Sequence, residues 1–308
     1  MSQVSPMTVT RVLRGHNTVA HETRQRVLEA VRQTDYVPIR SAVQNRHVTN
    51  NVLGYVPYHV DLTQNRIDSE TYTGISYAAY QHDYDVLVML RKESDWMASR
   101  AELRFLDRRS DGFVFLTTYC GEWESVLNAL VEHAIPTVVC YRRDVPQGIA
   151  WVDPDNEAIT RLGVEALLKK GHRRIAYVTA PDHYKAKGRL AQPSPSGGNY
   201  DDLERRRVFR RLMQQEYSND CNGIIIENKQ QEWKVESNVL RSIRDQNITG
   251  IVCMNDLTAM RLWNLAESAG LRIPEDLSII GVDNTKEAEQ VGLTSIGFRF
   301  SDVGAAAV

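Results

Sequence analysis

The feature that most constrains this chain is an alternation of short apolar runs with helix-length amphipathic segments, which begins at Val52. The runs read as strands: VLGYVPY, DVLVML, GFVFL, PTVVCY, RIAYVTA, GIIIE, GIVCMN and LSIIGV. The segments between them predict helices over 68–82, 95–108, 122–133, 156–170, 203–216, 234–246 and 256–269. Strands that alternate with helices form parallel sheets covered on both faces. Because these strands are more than one such sheet readily accommodates, the sequence predicts an α/β fold of two doubly wound parallel-sheet lobes.

A small helical head precedes the lobes. Residues 4–15, VSPMTVTRVLRG, predict a short helix, with Ser5 as N-cap, Pro6 in the first turn and Gly15 as the stop. A second helix is predicted over 21–34, which the YVP at 36–38 ends because the residue before a proline avoids the helical region. The polar segment that follows, 39–51, reads as a linker or a conditional helix.

Charge separates the head from the body. Residues 1–50 hold seven arginines and three acids, a net charge of +4. Because the whole chain has a net charge of −2, the remaining residues carry −6. A basic head on an acidic body suits an anionic partner for the head alone, although arginines also populate solvated helix faces. The four cysteines form no CxxC pair, which favours a reduced, cytoplasmic protein with buried thiols. No apolar run approaches membrane-spanning length, and we expect no signal peptide and no membrane partner.

Motifs of catalysis are lacking in the sequence. There is no GxGxxG after the first strand, no GxxxxGK[ST], no HExxH and no GxSxG, and the eight histidines show no metal-ligand spacing. The sequence therefore predicts a protein that is not an enzyme and that has no cofactor and no metal site, although a triad assembled only in space would escape this test.

Several motifs in order resemble the LacI/GalR family of bacterial transcription regulators. The head segment VSPMTVTRVLRG resembles the recognition helix of that family, followed by TRQRVLEAV and the closing YVP. In the body, the matching phrases are GHRRIAYV, IVCMNDLTAM and GLRIPEDLSIIGVDN. The resemblance implies a helix-turn-helix head followed by two lobes like those of type I periplasmic binding proteins. It divides the chain into a DNA-binding head (1–38), a hinge (39–51) and an effector-binding and dimerisation body (52–308), with lobe 1 at about 52–180 plus 293–308 and lobe 2 at about 181–292.

The resemblance also implies which residues of the head meet double-stranded DNA. A helix in the major groove needs core residues on one face, here Val9, Val12 and Leu13, and base-reading side chains on the other. The resemblance places the following residues at bases, at the backbone or at the hinge: Ser5, Pro6, Met7, Thr8, Thr10, Arg11, Asn17, Thr23, Arg24 and Asn45. Pro6 and Met7 offer no bidentate hydrogen bond, so we expect specificity to depend on Arg11 and on contact with thymine methyl groups.

Three departures from the family pattern bear on function. The family has a helix before the VS dipeptide, where this chain has only three residues, and it continues through a further helix and strand past SDVGAAAV, so the chain resembles a member clipped at both ends. At the hinge, Asn45 stands where the family usually carries a leucine that wedges into the minor groove. These departures keep a second interpretation open, a cytosolic small-molecule sensor without competent DNA binding. A transport-type binding protein and an enzyme on the same scaffold are further alternatives.

For the body, the resemblance implies a sugar-like effector held between the lobes. Ligands of such sheets lie outside the carboxyl ends of the strands, and the matching positions are Tyr58, Asp68, Asp155, Arg205, Trp233, Asn255 and Asp283. Helix capping is the alternative role for Asn255 and the favoured one for Asp256, and core packing is the alternative for Trp233. The resemblance implies a homodimer, formed through helix 68–82 and a partner in lobe 2, whose operator affinity changes with effector binding.

Overall fold

The structure, a computed structural model, describes residues 4–13, 19–34, 50–59, 61–63, 65–90, 101–118, 123–179, 199–217, 221–228 and 237–308. Two five-stranded sheets form the body, and every strand pair in them is parallel. The first has the order β2-β1-β3-β4-β5, with strands β1 Val52–Val56, β2 Asp85–Val88, β3 Gly112–Leu116, β4 Thr137–Cys140 and β5 Ala150–Val152. The second has the order β10-β9-β8-β6-β7, with strands β6 Arg174–Val178, β7 Asn222–Ile226, β8 Gly250–Cys253, β9 Ser278–Val282 and β10 Thr294–Ile296.

The helices cover both faces of each sheet. In chain order they are α1 Pro6–Leu13, α2 His21–Thr34, α3 Arg66–Gln81, α4 Glu124–Glu132, α5 Asn156–Lys169, α6 Tyr200–Arg211, α7 Ser237–Asp245, α8 Asp256–Ser268, α9 Lys286–Gln290 and α10 Phe300–Ala306. In the first lobe, α4 packs on one face of the sheet and α3 with α10 on the other. In the second lobe, α7 and α8 cover one face and α5 and α6 the opposite one. This arrangement confirms the predicted doubly wound fold.

The first lobe is built from two separate parts of the chain. The chain leaves the first sheet after β5 and enters the second lobe at α5, and it returns after β10 to form α10, which packs on α3. Gly74 and Gly304 bring these two helices together, since a Cβ on Gly74 would lie 1.9 Å from the carbonyl oxygen of Ser301. The crossings at 153–155 and 297–299 are therefore the described links between the lobes.

The sequence predicted that the chain passes between the lobes at about residues 180 and 293, but the membership of the two sheets places these passages elsewhere. Strand β6 lies in the second sheet because it pairs with β7 and β8, and β10 lies there because it pairs with β9. Of the expected first-lobe segment 293–308, α10 and the residues after it join the first lobe, while β10 does not. Within the described residues, the crossings therefore lie at 153–155 and 297–299 instead.

A second correction concerns the helix expected over 95–108. Its first part, 95–100, lies outside the described residues. The remainder contains only a 3₁₀ turn, Ala101–Arg104, followed by irregular chain. The next residues, Phe105 and Leu106, are buried against α4 and β3 in the first-lobe core. Phe105 and Leu106 thus hold this segment in the core without a regular helix.

Candidate ligand cleft and nucleic-acid interface

The guanidinium of Arg205 lies at the centre of the polar groups between the lobes. The residue is 3% exposed and lies on α6. Its Nε donates to Oδ1 of Asn156 at 2.7 Å, and its Nη1 donates to the carbonyl oxygen of Met254 at 2.7 Å. Since Met254 follows β8 and Asn156 begins α5, Arg205 is fixed at the carboxyl end of the second sheet, where ligands of such sheets bind.

Two carboxyl groups extend this network towards the first lobe. The side-chain nitrogen of Asn156 donates to Asp201 at 2.9 Å, and Nε of Arg143 donates to Asp153 at 2.9 Å. Burial raises the pKa of Asp153 to about 7, with a further increase from the charge of Asp201, while Arg143 opposes both effects. Burial likewise raises the pKa of Asp201, against the lowering effect of Arg205. Because of their burial, the two carboxyls hold a proton more firmly than exposed ones do.

Asp283 supplies a third carboxyl, after β9. Its backbone has a φ of +107°, a conformation that costs energy for any residue other than glycine. Among the described residues, no side chain or backbone group donates a hydrogen bond to this carboxyl, although its backbone amide is bonded to Ile296. Burial raises its pKa to about 7 and the charge of Arg205 opposes that rise. Asp283 is therefore a partly exposed acceptor that lies within the electrostatic influence of Arg205.

Contacts across the cleft bring the two lobes together. Nη1 of Arg66, at the start of α3, donates to the carbonyl oxygens of Asp283 at 2.8 Å and Asn284 at 2.7 Å. The amide of Tyr200, at the start of α6, donates to the carbonyl oxygen of Thr118 after β3 at 2.7 Å. Both contacts join loops at the carboxyl ends of the strands, so the cleft has walls from both sheets.

Two of the predicted effector residues have structural roles. The side chain of Asn255 caps α8 and accepts from the amide of Thr258 at 2.9 Å. Asp155 caps α5 and accepts from the amide of Ala158 at 2.9 Å, and the structure places no hydrogen bond between it and the described residues around Arg205. The carboxyl that joins that cluster is Asp153, two residues earlier.

Capping by Asp256, the favoured prediction for that residue, is wrong. Asp256 is fully buried and follows the actual cap, Asn255. Its carboxylate accepts from the amide of Thr285 at 2.8 Å and from the hydroxyl of Ser295 at 2.5 Å. A buried carboxylate needs such hydrogen-bond donors. The hydrogen bonds that Thr285 and Ser295 donate to Asp256 also fix the loop that carries Asp283.

Asp68 and Tyr58, also predicted for the effector site, lie together at the end of β1. Asp68 is fully buried and accepts from the amide of Tyr58 at 2.9 Å. Its other oxygen lies 2.5 Å from Nδ1 of His59, whose ring meets that of Tyr58 edge-on. The carboxylate therefore orders the loop after β1, and Tyr58 is the member of the pair that is partly exposed.

The sequence interpretation missed the residues that tie the cluster together, namely Asp153, Asn156, Asp201 and Arg66. Each lies within a few residues of a helix start, where acidic and amide side chains usually serve as caps. The packing of α5 against α6 brings Asn156 and Asp201 together, and Arg66 reaches the cleft from α3. Of the other predicted site residues, Asn17, Asn45 and Trp233 lie outside the described residues. Within the described part of the chain, no group of three acids, histidines or cysteines is arranged to hold a metal ion.

The head consists of α1 packed on α2. Val12, Val27 and Val31 are buried together, with Val9 and Leu28 against them. This core is the one expected for Val9 and Val12, whereas the side chain of Leu13 is outside what the structure describes.

Polar residues of the head lie on its surface. The hydroxyl of Ser5 accepts from the amide of Thr8 at 3.2 Å and so caps α1. Arg11 is exposed on α1, while Thr23 and Arg24 are partly exposed on the first turn of α2. The structure describes the backbone but not the side chains of Pro6, Met7 and Thr10. The described residues of the head thus have the arrangement that a DNA-binding helix pair requires, with apolar residues buried between the helices and polar residues on the surface.

These features define a class of protein, a two-lobed periplasmic-binding-protein-like body behind a helical DNA-binding head. Three family profiles match the chain: "Bacterial regulatory proteins, lacI family" at 1–38, "Periplasmic binding proteins and sugar binding domain of LacI family" at 68–193 and "Periplasmic binding protein-like domain" at 164–308. The chain belongs to the LacI family of bacterial regulators. Within the described residues no helix is long and apolar enough to cross a membrane.

Two curated relatives are transcriptional regulators. The chain is 24% identical to the HTH-type transcriptional regulator KdgR of Bacillus subtilis, covering 99% of this chain and 86% of KdgR. It is 26% identical to the HTH-type transcriptional repressor PurR of Aliivibrio fischeri, over 92% of this chain and 80% of PurR. The solved complex of transcriptional regulator CelR with cellobiose shares the fold, with a TM-score of 0.65, 20% identity and coverage of 99% and 88%. DNA binding and repression are thus supported at the level of the family.

Proposed function

We propose that this protein is a cytoplasmic transcription repressor whose operator affinity is controlled by a small, sugar-like effector bound between the lobes. One observation carries the proposal: a buried guanidinium, Arg205, acts electrostatically on the carboxyl of Asp283, which receives no hydrogen bond from the described residues. A polyol offers hydroxyl groups that donate to such a carboxyl and accept from such a guanidinium.

Further residues of the cleft complete the proposed effector site. The carboxyls of Asp153 and Asp201 supply additional acceptors beside Arg205. Asn255 uses its side-chain oxygen as a helix cap, which leaves its amide group as the part that would donate to the effector. Tyr58 and Trp233 are proposed to supply aromatic faces, since flat rings pack well on the apolar faces of sugars.

On the DNA side, Arg11 is the proposed base reader, and Thr23, Arg24 and Asn17 are proposed backbone contacts. Ser5, Pro6, Met7, Thr8 and Thr10 make up the remaining recognition surface, and Asn45 is proposed to lie at the hinge. The exposed position of Arg11 and the partly exposed position of Arg24 support these roles.

A homodimer is proposed through the exposed face of α3. Two tyrosines on this helix, Tyr77 and Tyr80, are 63% and 78% exposed, which is unusual for large aromatic side chains on a monomer surface. A two-fold dimer would present two heads to a roughly two-fold operator.

The first test measures binding of the full chain to promoter DNA from its own genomic neighbourhood, with random duplex of equal length for comparison. We expect tighter binding to the promoter, with a log K that falls steeply with log salt. Arg11→Ala should reduce the preference for the promoter, while Arg207→Ala, at an exposed position on α6, should leave it unchanged. Equal, weak binding to both duplexes would favour the sensor without competent DNA binding.

The effector is tested separately, by thermal shift of the full chain with a panel of monosaccharides and disaccharides. A bound sugar should raise the melting temperature of the parent protein, because a ligand that binds only the folded state stabilises it by mass action. Arg205→Lys should abolish the shift, since lysine cannot reproduce the two-pronged geometry of arginine. Arg207→Lys is the matched control, because it lies on the same helix but is 79% exposed in its side chain.

A further inference from the structure

Arg66 makes a connection between the lobes that the effector site alone does not explain. It is the first residue of α3, in the first lobe, and its Nη1 donates to two consecutive carbonyl oxygens in the second lobe, those of Asp283 and Asn284. Its Nε donates to Oε1 of Glu70, one turn along α3, at 2.5 Å. Glu70 therefore orients the guanidinium, and Nη1 donates to the loop after β9.

The loop that receives these hydrogen bonds is strained. Asp283 and Asn284 both have positive φ, +107° and +49°. Such conformations cost energy for residues with side chains and persist where surrounding contacts hold them. On the second-lobe side, the hydroxyl of Ser295 accepts from the amide of Asn284 at 2.9 Å, and Asp256 holds Thr285. On the first-lobe side, among the described residues, Arg66 supplies the hydrogen bonds to this loop.

Arg66 also lies at the crossing where the chain returns to the first lobe. Its guanidinium carbon is 5.5 Å from the centre of the Phe300 ring, which is buried at the start of α10. Gly297, in the same crossing, lies so close to Asn284 that a Cβ there would be 2.6 Å from the Cβ of Asn284. The strained loop, the crossing and Arg66 are therefore in mutual contact, and a rotation of one lobe against the other must break or rebuild these contacts.

We propose that Arg66 is a positioning residue that acts as a latch between the lobes. Its hydrogen bonds to the carbonyls of Asp283 and Asn284 fix the relative orientation of the lobes in the absence of effector and hold the Asp283 carboxyl towards the cleft. This proposal rests on the proposed function only where it takes Asp283 as an effector contact. The hydrogen bonds themselves, and the lobe orientation they set, require neither effector nor DNA.

Two replacements of Arg66, one neutral and one charged, separate the contribution of its hydrogen-bond donors from that of its charge. Arg66→Met keeps an unbranched apolar side chain in place of the arginine stem but removes every donor. Arg66→Lys keeps the charge and a terminal nitrogen with donors, but loses the Nε–H group that donates to Glu70 and orients the side chain. We therefore expect the latch to be lost in Arg66→Met and partly retained in Arg66→Lys.

The test measures the distance between two spin labels on the full chain, one on each lobe, without effector or DNA. Asn128→Cys on α4 and Gln290→Cys on α9 place labels at exposed positions, in a Cys120→Ser background that keeps the buried cysteines. Labelled chain is diluted into unlabelled chain so that only distances within one chain are measured. We expect a narrow distance distribution for the parent, a longer and broader one for Arg66→Met and an intermediate one for Arg66→Lys.

Arg299→Met is the matched control. Arg299 lies in the same crossing, but its side chain is 80% exposed and pairs with Asp302 of α10, so its loss should leave the distance distribution unchanged. Identical distributions for the parent and both Arg66 variants would overturn the latch. Should Arg66→Met fail to fold, as judged by circular dichroism, the Arg66→Lys comparison alone decides. A chain that binds neither promoter DNA nor sugar would refute the proposed function and leave this measurement intact.

Discussion

Nε of Arg205 donates to Oδ1 of Asn156 at 2.7 Å, so the guanidinium on α6 is held by the first residue of α5. The same amide group donates from its nitrogen to Asp201 at 2.9 Å. One side chain thus satisfies a buried cation and a buried acid, and all three residues are less than 10% exposed. The arrangement lets a charged group lie at the ligand cleft without a direct ion pair that would occupy its remaining donors.

Replacing Asn156 by alanine should destabilise the protein. Arg205 and Asp201 would each lose a hydrogen bond while remaining buried, and an unsatisfied buried charge costs more than an average hydrogen bond contributes. We expect a loss of about 2–4 kcal/mol in the free energy of unfolding, measured by urea denaturation. Asn128→Ala, at an exposed position on α4, is the control and should stay within about 0.5 kcal/mol of the parent. Equal stability of the two variants would contradict this assignment.

The stability contributed by Asp283 should fall as the pH rises. Its pKa is about 7 in the folded protein and 3.8 in the reference state, so the folded state binds more protons between these values. This group therefore lowers the free energy of unfolding as the pH rises from about 4 to about 7, and the full loss persists above pH 7. Asp283→Asn removes the titration, and its melting temperature should exceed that of the parent at pH 8 by more than it does at pH 5.

Asp276 provides a comparison of opposite sign for this pH experiment. Hydrogen bonds from Arg272 lower the pKa of this exposed carboxyl to about 2, so its contribution to stability is present above about pH 4 and is lost below that. Asp276→Asn should therefore lower the melting temperature at pH 8, where Asp283→Asn raises it. A rise in both variants would show that the effect reflects net charge and not the environment of Asp283.

Two adjacent residues, Asn255 and Asp256, should differ sharply in what their removal costs. Asn255→Ala deletes one helix cap, which is worth about 1 kcal/mol. Asp256→Ala leaves the hydroxyl of Ser295 and the amide of Thr285 without their buried acceptor, and we expect a loss of about 2–4 kcal/mol. Urea denaturation of both variants checks the order, and a larger loss for Asn255→Ala would overturn these assignments.

Close packing of α3 on α10 predicts intolerance of a single methyl group. A Cβ at Gly74 would meet the carbonyl oxygen of Ser301 at 1.9 Å, and backbone cannot move away as a flexible side chain can. Gly74→Ala should lower the free energy of unfolding by about 1–3 kcal/mol, although alanine has a higher helix propensity than glycine. Gln81→Ala, exposed near the end of the same helix, is the control in the same thermal and urea experiments and should be close to neutral.

The fold could be predicted largely from sequence because its strands are runs that are apolar on both faces and its long helices have one apolar stripe. The predicted helix 156–170 and the observed α5, Asn156–Lys169, agree to one residue. Strands β5 and β10 were missed because each has only three residues, too few for a pattern. Helices α9 and α10 were missed for the same reason, since short helices show little periodicity.

The ligand cleft was less predictable than the fold. Arg205 and Asp283 were predicted because a family motif marks each of them, and the charge of Arg205 acts on the pKa of Asp283 in the structure. Asp153 and Asp201 were missed since they are 48 positions apart in the chain, and only the packing of α5 on α6 joins them. A cap such as Asp155 resembles a ligand contact in sequence, because both roles favour an acid after a strand.

The return of the chain to the first lobe has a consequence for the order of folding during synthesis. The segment from α5 to β10 can complete the second lobe as soon as it has emerged from the ribosome. The first lobe must wait, since Phe300 and Val303 of α10 fill part of the core beneath α3. Until those residues appear, the first sheet has one incompletely covered face. Because α10 follows the first-lobe strands by more than a hundred residues, the first lobe exposes apolar surface during synthesis until α10 has emerged, and this lobe is where a chaperone would act.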